Sequence, residues 1–272
     1  MDPLSDTELQ GFSRLMMDAA GIMLPASKKA LVGGRLARRL QALGLPSYTH
    51  YLAHIQRDAP ERQRAIDLLT TNETYFFREP RHFAYLSEHI LSRHDGARPF
   101  RVWSAACSSG EEPYSVAMVL AERLGSRPWE MVASDISTRV LEQARRGVYP
   151  MERAEKIPLP YLKAYCLKGV GAQEGQFQIQ DALRTRITFR ELNLNATLPD
   201  IGQFDLVLLR NVMIYFDAAT KRGVCGRIEQ VLRPGGHLFV GHSESLNGLD
   251  SSLRMVQPAV YRKDGGSARG PA

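Results

Sequence analysis

The sequence predicts an α/β protein in which an all-α N-terminal domain precedes a domain built on a parallel β-sheet. Over the first 70 residues, apolar residues recur at helical spacing between capping and stop signals. From about residue 97 the pattern changes to alternating strands and helices, which is typical of a parallel sheet covered on both faces. We therefore place a helical domain at residues 1–75, an α/β domain at 76–264 and a flexible tail at 265–272.

The helical domain is predicted to contain four helices, each marked by residues that favour helix ends. Ser and Thr side chains satisfy free N–H groups at helix starts, and Gly adopts the left-handed conformation that ends helices. The predicted start and stop signals are, in chain order, the capping box Ser5 with Glu8, then Gly21, Ser27, Gly44, Ser47 and Pro60. On the second helix, Arg35, Arg38 and Arg39 fall at positions i, i+3 and i+4 and are predicted to form a basic stripe.

Five apolar runs in the second half of the chain predict the core strands of the sheet. They are Arg101–Ala105, Met131–Ser134, Ile187–Arg190, Asp205–Leu209 and His237–Gly241, followed by an antiparallel edge hairpin near 254–262. Between about 150 and 186 the alternation stops, and Gly169, Gly171 and Gly175 separate short segments. In Gln176–Gln180, apolar and polar residues alternate, so we predict a small antiparallel β insertion there.

The stretch from Phe100 to Ser115 predicts a nucleoside-binding loop. It reads as a strand, a loop of Ala, Ser and Gly residues, and a helix opened by Pro113. Asp135 ends the next predicted strand, where a carboxylate can bind two ribose hydroxyls. The motif G-x-G-x-x-G is absent, so a nucleoside without a pyrophosphate is favoured. S-adenosylmethionine (SAM) is the commonest such ligand.

Composition restricts the cellular setting but not the substrate. The chain has 272 residues, a formal net charge of +6 and three widely spaced cysteines without a C-x-x-C pair. This cysteine pattern argues against a disulfide framework and against a zinc site, and favours the reducing cytoplasm. The sequence shows neither an apolar run of about 20 residues nor a secretory signal. The positive charge suggests an acidic partner, although an ordinary solvated surface explains it equally well.

Five segments, taken together, carry a family resemblance. They are Leu69–Glu79 (LTTNETYFFRE), Trp103–Ala106 (WSAA), Gly110–Ser115 (GEEPYS), Leu209–Asp217 (LRNVMIYFD) and Gly241–Glu244 (GHSE). In this order and spacing they closely resemble the chemotaxis receptor methyltransferases of the CheR type. The resemblance implies a SAM-dependent methyltransferase fold with a small β insertion. It also implies methylation of glutamate side chains on chemoreceptors, with S-adenosylhomocysteine as the product.

The resemblance also implies roles for individual residues. Arg78, Arg210 and Tyr215 are expected near the transferred methyl group, with Arg78 also reaching the SAM carboxylate or the substrate glutamate. Glu112 is expected on the SAM amino group, with Glu111 as the second choice. The full set expected to bind SAM is Asn72, Thr74, Arg78, Ala106, Glu112, Asp135, Asn193, Leu194, Asn211 and Val212. For several of these residues a structural role is the alternative: Asn72 and Thr74 as helix caps, Glu112 as a carboxylate favoured by the helix dipole.

This residue set suits methyl transfer to a carboxylate. Glutamate is already ionised at pH 7, so the reaction requires no general base, only alignment and exclusion of water. We interpret Cys107 as a small filler in the loop rather than a nucleophile. We interpret His50 and His54 as solvent-facing, and we expect no metal.

The expected partners are glutamate-rich helices of receptors, and we expect a cytoplasmic monomer recruited to receptor arrays. Arg35, Arg38 and Arg39 would dock these helices, and the insertion with Gly171 and Gly175 would hold a C-terminal receptor pentapeptide. Two alternatives stay open: a methyltransferase of another acidic protein or of RNA, and a non-catalytic SAM-binding adaptor. We find no aromatic residues interleaved with Lys and Arg on a sheet face, so we expect no nucleic acid. Neither do we expect insertion into the membrane.

Overall fold

The computed structural model describes residues 2–265, and the N-terminal part of this range forms a bundle of helices. Phe12, Met16, Leu36, Leu40 and Tyr51 are fully buried between the helices and form a core of their own. Within the described residues the domain contains α1 (Asp6–Ala20), α2 (Lys29–Ala42), α3 (Tyr48–Ile55) and α4 (Ala59–Leu69).

The predicted helix signals are confirmed except at the start of α2. Ser5 and Glu8 form the capping box of α1, and Ser47 caps α3. Ser27 instead lies inside a 3₁₀ turn, Ala26–Lys28, and its side chain caps nothing. The turn begins at Ala26, directly after the extended Pro25, so Ser27 already lies inside it and is not at its start.

The second domain is built on a seven-stranded sheet with helices on both faces, as predicted. Five central strands run parallel, in the order β6-β2-β1-β7-β8, and the antiparallel hairpin β9–β10 extends the β8 edge. The strands are β1 (Phe100–Ala105), β2 (Trp129–Asp135), β6 (Ile187–Glu191), β7 (Phe204–Leu209), β8 (Leu232–Val240), β9 (Arg254–Gln257) and β10 (Val260–Arg262). The helices are α5 (Pro80–Tyr85), α6 (Glu111–Leu124), α7 (Thr138–Arg146), α8 (Leu159–Tyr165), α9 (Asp181–Arg184) and α10 (Ala218–Val231).

The predicted antiparallel insertion is also present. It is a separate sheet of three short strands, β3 (Val148–Pro150), β4 (Cys166–Lys168) and β5 (Gln176–Ile179), in the order β3-β5-β4. Phe177 and Ile179 face the core, as the alternation predicted. Except for Gly265, the predicted flexible tail lies outside the described residues. Between residues 2 and 265, no helix combines the length and the apolar character needed to cross a membrane.

The chain order of the sheet fixes where a ligand would bind. From β1 the chain continues to β2 and β6 on one side and later returns to β7 and β8 on the other. The order therefore reverses between β1 and β7. In open α/β sheets this reversal creates a crevice at the carboxyl ends of the strands.

The helical domain packs against this same edge of the sheet domain. The Asp67 carboxylate accepts hydrogen bonds from the backbone and hydroxyl of Thr138, at 3.0 and 2.9 Å. The Met23 N–H donates to the carbonyl of Tyr215 at 2.9 Å, next to the bridge between Ile22 and Phe216. The two domains therefore enclose the crevice between them.

At the opposite edge, one buried carboxylate ties three strands together. Asp205, at the start of β7, accepts from the Arg98 guanidinium at 2.5 and 2.8 Å and from the Arg101 N–H at 2.9 Å. Arg233 of β8 donates to it at 2.7 Å. Burial alone would raise the pKa of Asp205, but these donors hold the pKa below its usual value.

We expect Asp205→Asn to lower the free energy of unfolding at pH 7 by about 2 kcal/mol, because charge-assisted hydrogen bonds are lost. A carboxylate with a lowered pKa in the folded protein stabilises it above the pKa of the unfolded chain, about 3.9. The difference from wild type should therefore stay constant down to about pH 5 and shrink at lower pH. Urea unfolding at several pH values measures it, with the exposed Asp18→Asn as the control. A difference that grows on acidification would contradict the assignment.

Candidate active site

A deep cavity lies at the carboxyl ends of the strands, at the point where the strand order reverses. Its walls come from α2, the connector between the domains, the loop after β1, and the residues following β2, β6 and β7. Every residue predicted to bind SAM lines this one cavity: Asn72, Thr74, Arg78, Ala106, Glu112, Asp135, Asn193, Leu194, Asn211 and Val212. Arg210 and Tyr215 line it too. The structure thus brings together residues up to 143 positions apart, from Asn72 to Tyr215.

Asp135 is held rigidly at the end of β2. Its two carboxylate oxygens accept the backbone N–H groups of Ser108 and Ser137, each at 2.9 Å. Burial raises the pKa of Asp135, although these two N–H groups oppose the shift. Each oxygen retains further lone pairs that can accept hydrogen bonds from a diol in the cavity.

Strained backbone conformations cluster around the cavity. Residues with side chains rarely adopt positive φ, which costs of order 1–3 kcal/mol each. Seven described residues other than glycine do so, and five of them lie near the cavity: Phe77 (φ 53°), Glu79 (59°), Ala106 (73°), Ser108 (49°) and Asn211 (58°). They lie in the connector, in the loop after β1 and directly after β7. Such strain persists where surrounding contacts fix the chain, and it is typical of binding sites.

Arg210 joins the connector to the sheet through two carboxylates. Its side chain is 1% exposed and donates to Glu112 at 2.8 Å and to Glu79 at 3.0 Å. It also donates to the carbonyl of Arg78, and Ser104 at the end of β1 donates to Glu112 at 2.6 Å. Burial alone would raise the pKa of Glu79, but the His242 N–H, Arg210 and Asn211 hold the pKa below its usual value.

Glu112 therefore has two roles to reconcile. The sequence predicted it on the SAM amino group, whereas the structure shows it bonded to Arg210 and Ser104. It lines the cavity all the same, and its remaining lone pairs are free to accept from an ammonium group. The second choice, Glu111, is fully buried, bonds to Ser109 at 2.6 Å and does not line the cavity.

Arg78 and Tyr215 also line the cavity, but their side chains are held by fewer hydrogen bonds than that of Arg210. Arg78 donates to the carbonyl of Glu73 at 3.0 Å and lies over the Tyr75 ring. The neighbouring Phe76 and Phe77 are buried and anchor the connector. Tyr215 is partly exposed, and Met23 binds its carbonyl. Both polar side chains are thus available to a ligand.

Cys107 lines the cavity but does not suit a nucleophile. Burial, with the nearby charges of Asp135 and Glu112, raises the pKa of its thiol well above the usual value. The thiol therefore stays protonated at neutral pH, and only the thiolate is nucleophilic. This agrees with its interpretation as a filler.

The three arginines of the predicted basic stripe line one groove, but they differ in partners and exposure. Arg39 binds the buried Glu61. Arg35 donates to the carbonyls of Leu69 and Thr70 at 3.1 and 3.0 Å and lines the cavity. Only Arg38 of the three is exposed. The sequence does not predict this difference in exposure, because helical spacing does not show that Glu61 and the connector cover this face of α2.

This groove lies between α2, α4 and α7, and it contains two further arginines besides Arg35, Arg38 and Arg39. The exposed Arg64 and Arg139 lie in the same groove, together with Asp67 and Glu142. Sequence reasoning missed Arg64 and Arg139, because they lie on different helices. Gly171 (φ 58°) and Gly175 (φ 81°) lie in the turn of the insertion, apart from this groove.

Two functional positions beside the cavity were not predicted. Glu79 binds Arg210, and Glu244 accepts the backbone N–H groups of Asn211 at 2.7 Å and Gly241 at 2.6 Å. Gly241 permits this contact, because a Cβ there would lie 2.5 Å from Asn211 Nδ2. Both residues lie in the segments that carry the family resemblance. The only further sign in the sequence is Arg210, since an arginine buried at the end of a strand requires an acidic partner.

The side chains that line the cavity are chemically complementary to SAM. Asp135 can accept from ribose hydroxyls, and Ile136, Leu192 and Leu194 supply apolar surface. Glu112 and Arg78 carry charges complementary to an amino group and a carboxylate. The lining residues thus include chemically suitable partners for the ribose, the amino group and the carboxylate of SAM.

Comparisons with known proteins agree in both domains. Residues 7–70 match the family described as CheR methyltransferase, all-alpha domain, and residues 72–262 match CheR methyltransferase, SAM binding domain. The chain is 46% identical over 247 residues to chemotaxis protein methyltransferase 2 of Pseudomonas aeruginosa, covering 89% of this chain and 87% of that protein. It is 42% identical over 265 residues to the chemotaxis protein methyltransferase of Escherichia coli, covering 95% and 91%. The resemblance is confirmed, and the chain belongs to the CheR family of SAM-binding methyltransferases.

Proposed function

We propose that this protein methylates glutamate side chains on the cytoplasmic helices of chemoreceptors. The observation that carries the proposal is the single cavity that combines the expected SAM contacts with Arg78, Arg210 and Tyr215. A binding adaptor would need the cofactor contacts alone. The names of the relatives support a role in chemotaxis.

In this proposal the chain contributes alignment and exclusion of water. Bound SAM supplies a methyl group on a positively charged sulfur. Arg78 and Tyr215 would hold the substrate carboxylate in place, with the tyrosine hydroxyl orienting it by a hydrogen bond. Neither is needed as a base, because a glutamate is already ionised. The apolar walls, including Ile22, Val212 and Phe216, keep water from the charges that disappear in the reaction.

A methyl-release assay tests the proposal directly. Purified protein would be incubated with tritiated SAM and receptor cytoplasmic domains, and base-labile methyl groups would be measured. Glutamate methyl esters hydrolyse in base, so we expect volatile tritiated methanol. Tyr215→Phe should slow this transfer by about tenfold, because one hydrogen bond that orients the substrate is lost. The control Tyr85→Phe should transfer methyl groups at the wild-type rate. Base-stable label, or no label on any receptor domain, would reject the proposed reaction.

Binding of SAM should depend on Asp135. Asp135→Asn removes a charged acceptor, and we expect binding of SAM and S-adenosylhomocysteine to weaken by about 1.5–3 kcal/mol, or roughly 10- to 100-fold. Isothermal calorimetry measures this, and the thermal midpoint shows whether the variant is folded. The exposed Asp181→Asn serves as the control. Equal affinities for wild type and Asp135→Asn would refute the ribose assignment.

We further propose that the groove formed by Arg38, Arg64 and Arg139 docks a glutamate-rich receptor helix. The structure limits the test to these exposed residues, because charge reversal at Arg39 would bury a repulsive pair with Glu61. Arg38→Glu should raise the KM for receptor and remove part of its salt dependence, while SAM affinity is retained. Arg93→Glu, on an exposed site elsewhere, is the control. An unchanged KM for Arg38→Glu at low salt would exclude this groove.

The insertion remains our proposed site for a receptor pentapeptide. Strand β4 pairs only with β5, so its other edge can add a strand. Leu167 and Val170 beside this edge are 53% and 79% exposed. The apolar surface suits a peptide with an aromatic end, and a tether there would raise the local concentration of enzyme.

A further inference from the structure

Within the described residues, a buried histidine behind Arg210 forms no hydrogen bond through either ring nitrogen. His82 of α5 is 1% exposed, and neither Nδ1 nor Nε2 forms a hydrogen bond within the described part of the chain. Its ring stacks on Phe239 of β8, with centroids 5.0 Å apart. Burying polar atoms without partners is costly, so this arrangement calls for an explanation.

Two other potential ligands converge on this histidine. Oε2 of Glu79 lies 3.4 Å from Nδ1 of His82 and 3.9 Å from Nε2 of His242. The three ligand atoms all lie within 4.8 Å of one another. His242 follows the end of β8, and its side chain is 47% exposed.

The separation of these atoms is compatible with their binding one metal ion. Two atoms bound tetrahedrally to one zinc ion at about 2.1 Å are roughly 3.4 Å apart, and their lone pairs point at the ion. Nδ1 of His82 and Oε2 of Glu79 have this separation without forming a hydrogen bond.

We propose that Glu79, His82 and His242 form a site for one divalent cation of the zinc class. Two imidazoles and one carboxylate are a donor set that zinc prefers, with water completing the coordination. The exposed face of His242 supplies a path for entry. This proposal departs from the expectation, based on sequence, of a protein without metal, and it does not depend on the proposed reaction.

The charges around the site also favour a cation. Glu79 and Glu112 together supply two negative charges against the single positive charge of Arg210. Because Glu79 also binds Arg210, a bound ion would share a ligand with the wall of the cavity.

Cobalt and zinc titrations of the untagged, full-length protein test the site. Co²⁺ should bind in a one-to-one ratio with the visible absorption of a four-coordinate ion, and Zn²⁺ should displace it. His242→Ala should weaken both metals at least tenfold, since one of three protein ligands is lost. The exposed His89→Ala, on the same segment as His82, is the matched control and should bind as wild type does.

A second variant guards against indirect effects. His82→Phe keeps a ring against Phe239 and should also weaken binding at least tenfold, with folding checked by circular dichroism. A sulfur-to-cobalt charge-transfer band would place the ion on cysteine and overturn the proposal. Absence of one-to-one binding, or equal affinity in wild type and His242→Ala, would overturn it too.

Discussion

The arrangement of the cavity depends on one buried cation, the guanidinium of Arg210. Its side chain is 1% exposed, and Glu79 and Glu112 bind its two terminal nitrogens, Nη2 and Nη1. Glu112 follows the loop after β1, Glu79 belongs to the connector, and Arg210 itself follows β7. The ion pairs thus hold three separate segments at the reversal of strand order. Removing Arg210 would leave the carboxylates of Glu79 and Glu112 without their shared cation, which is strongly destabilising.

In the proposed reaction the site needs neither a nucleophile nor a base. Glu79 and Glu112 are both engaged by Arg210, and burial raises the pKa of the Cys107 thiol, which stays protonated. The cavity has a fixed backbone geometry, in which surrounding contacts hold residues such as Ala106 and Asn211 at positive φ. Alignment of reactants in a cavity shielded from water is sufficient for methyl transfer to an ionised acid.

Sequence patterns predicted the parts of this protein that follow from local rules. The five parallel strands appear as apolar runs, although β8 begins at Leu232 rather than His237, because Pro234 and the following glycines resemble a turn. Partners distant in sequence were not predictable. Helical spacing could not show that Arg39 meets Glu61, nor that Arg210 meets Glu79, 131 positions away. Resemblance to a family supplied the site residues that periodicity alone does not distinguish.

The most direct test of this account is a double-mutant cycle between Arg210 and Glu79, measured as the rate of methyl transfer. If the two side chains work as one unit, Arg210→Gln and Glu79→Gln should each slow the transfer. The double variant should then be no slower than the slower single variant, because the second change removes an interaction already lost. Losses that multiply in the double variant would show independent roles and contradict the account.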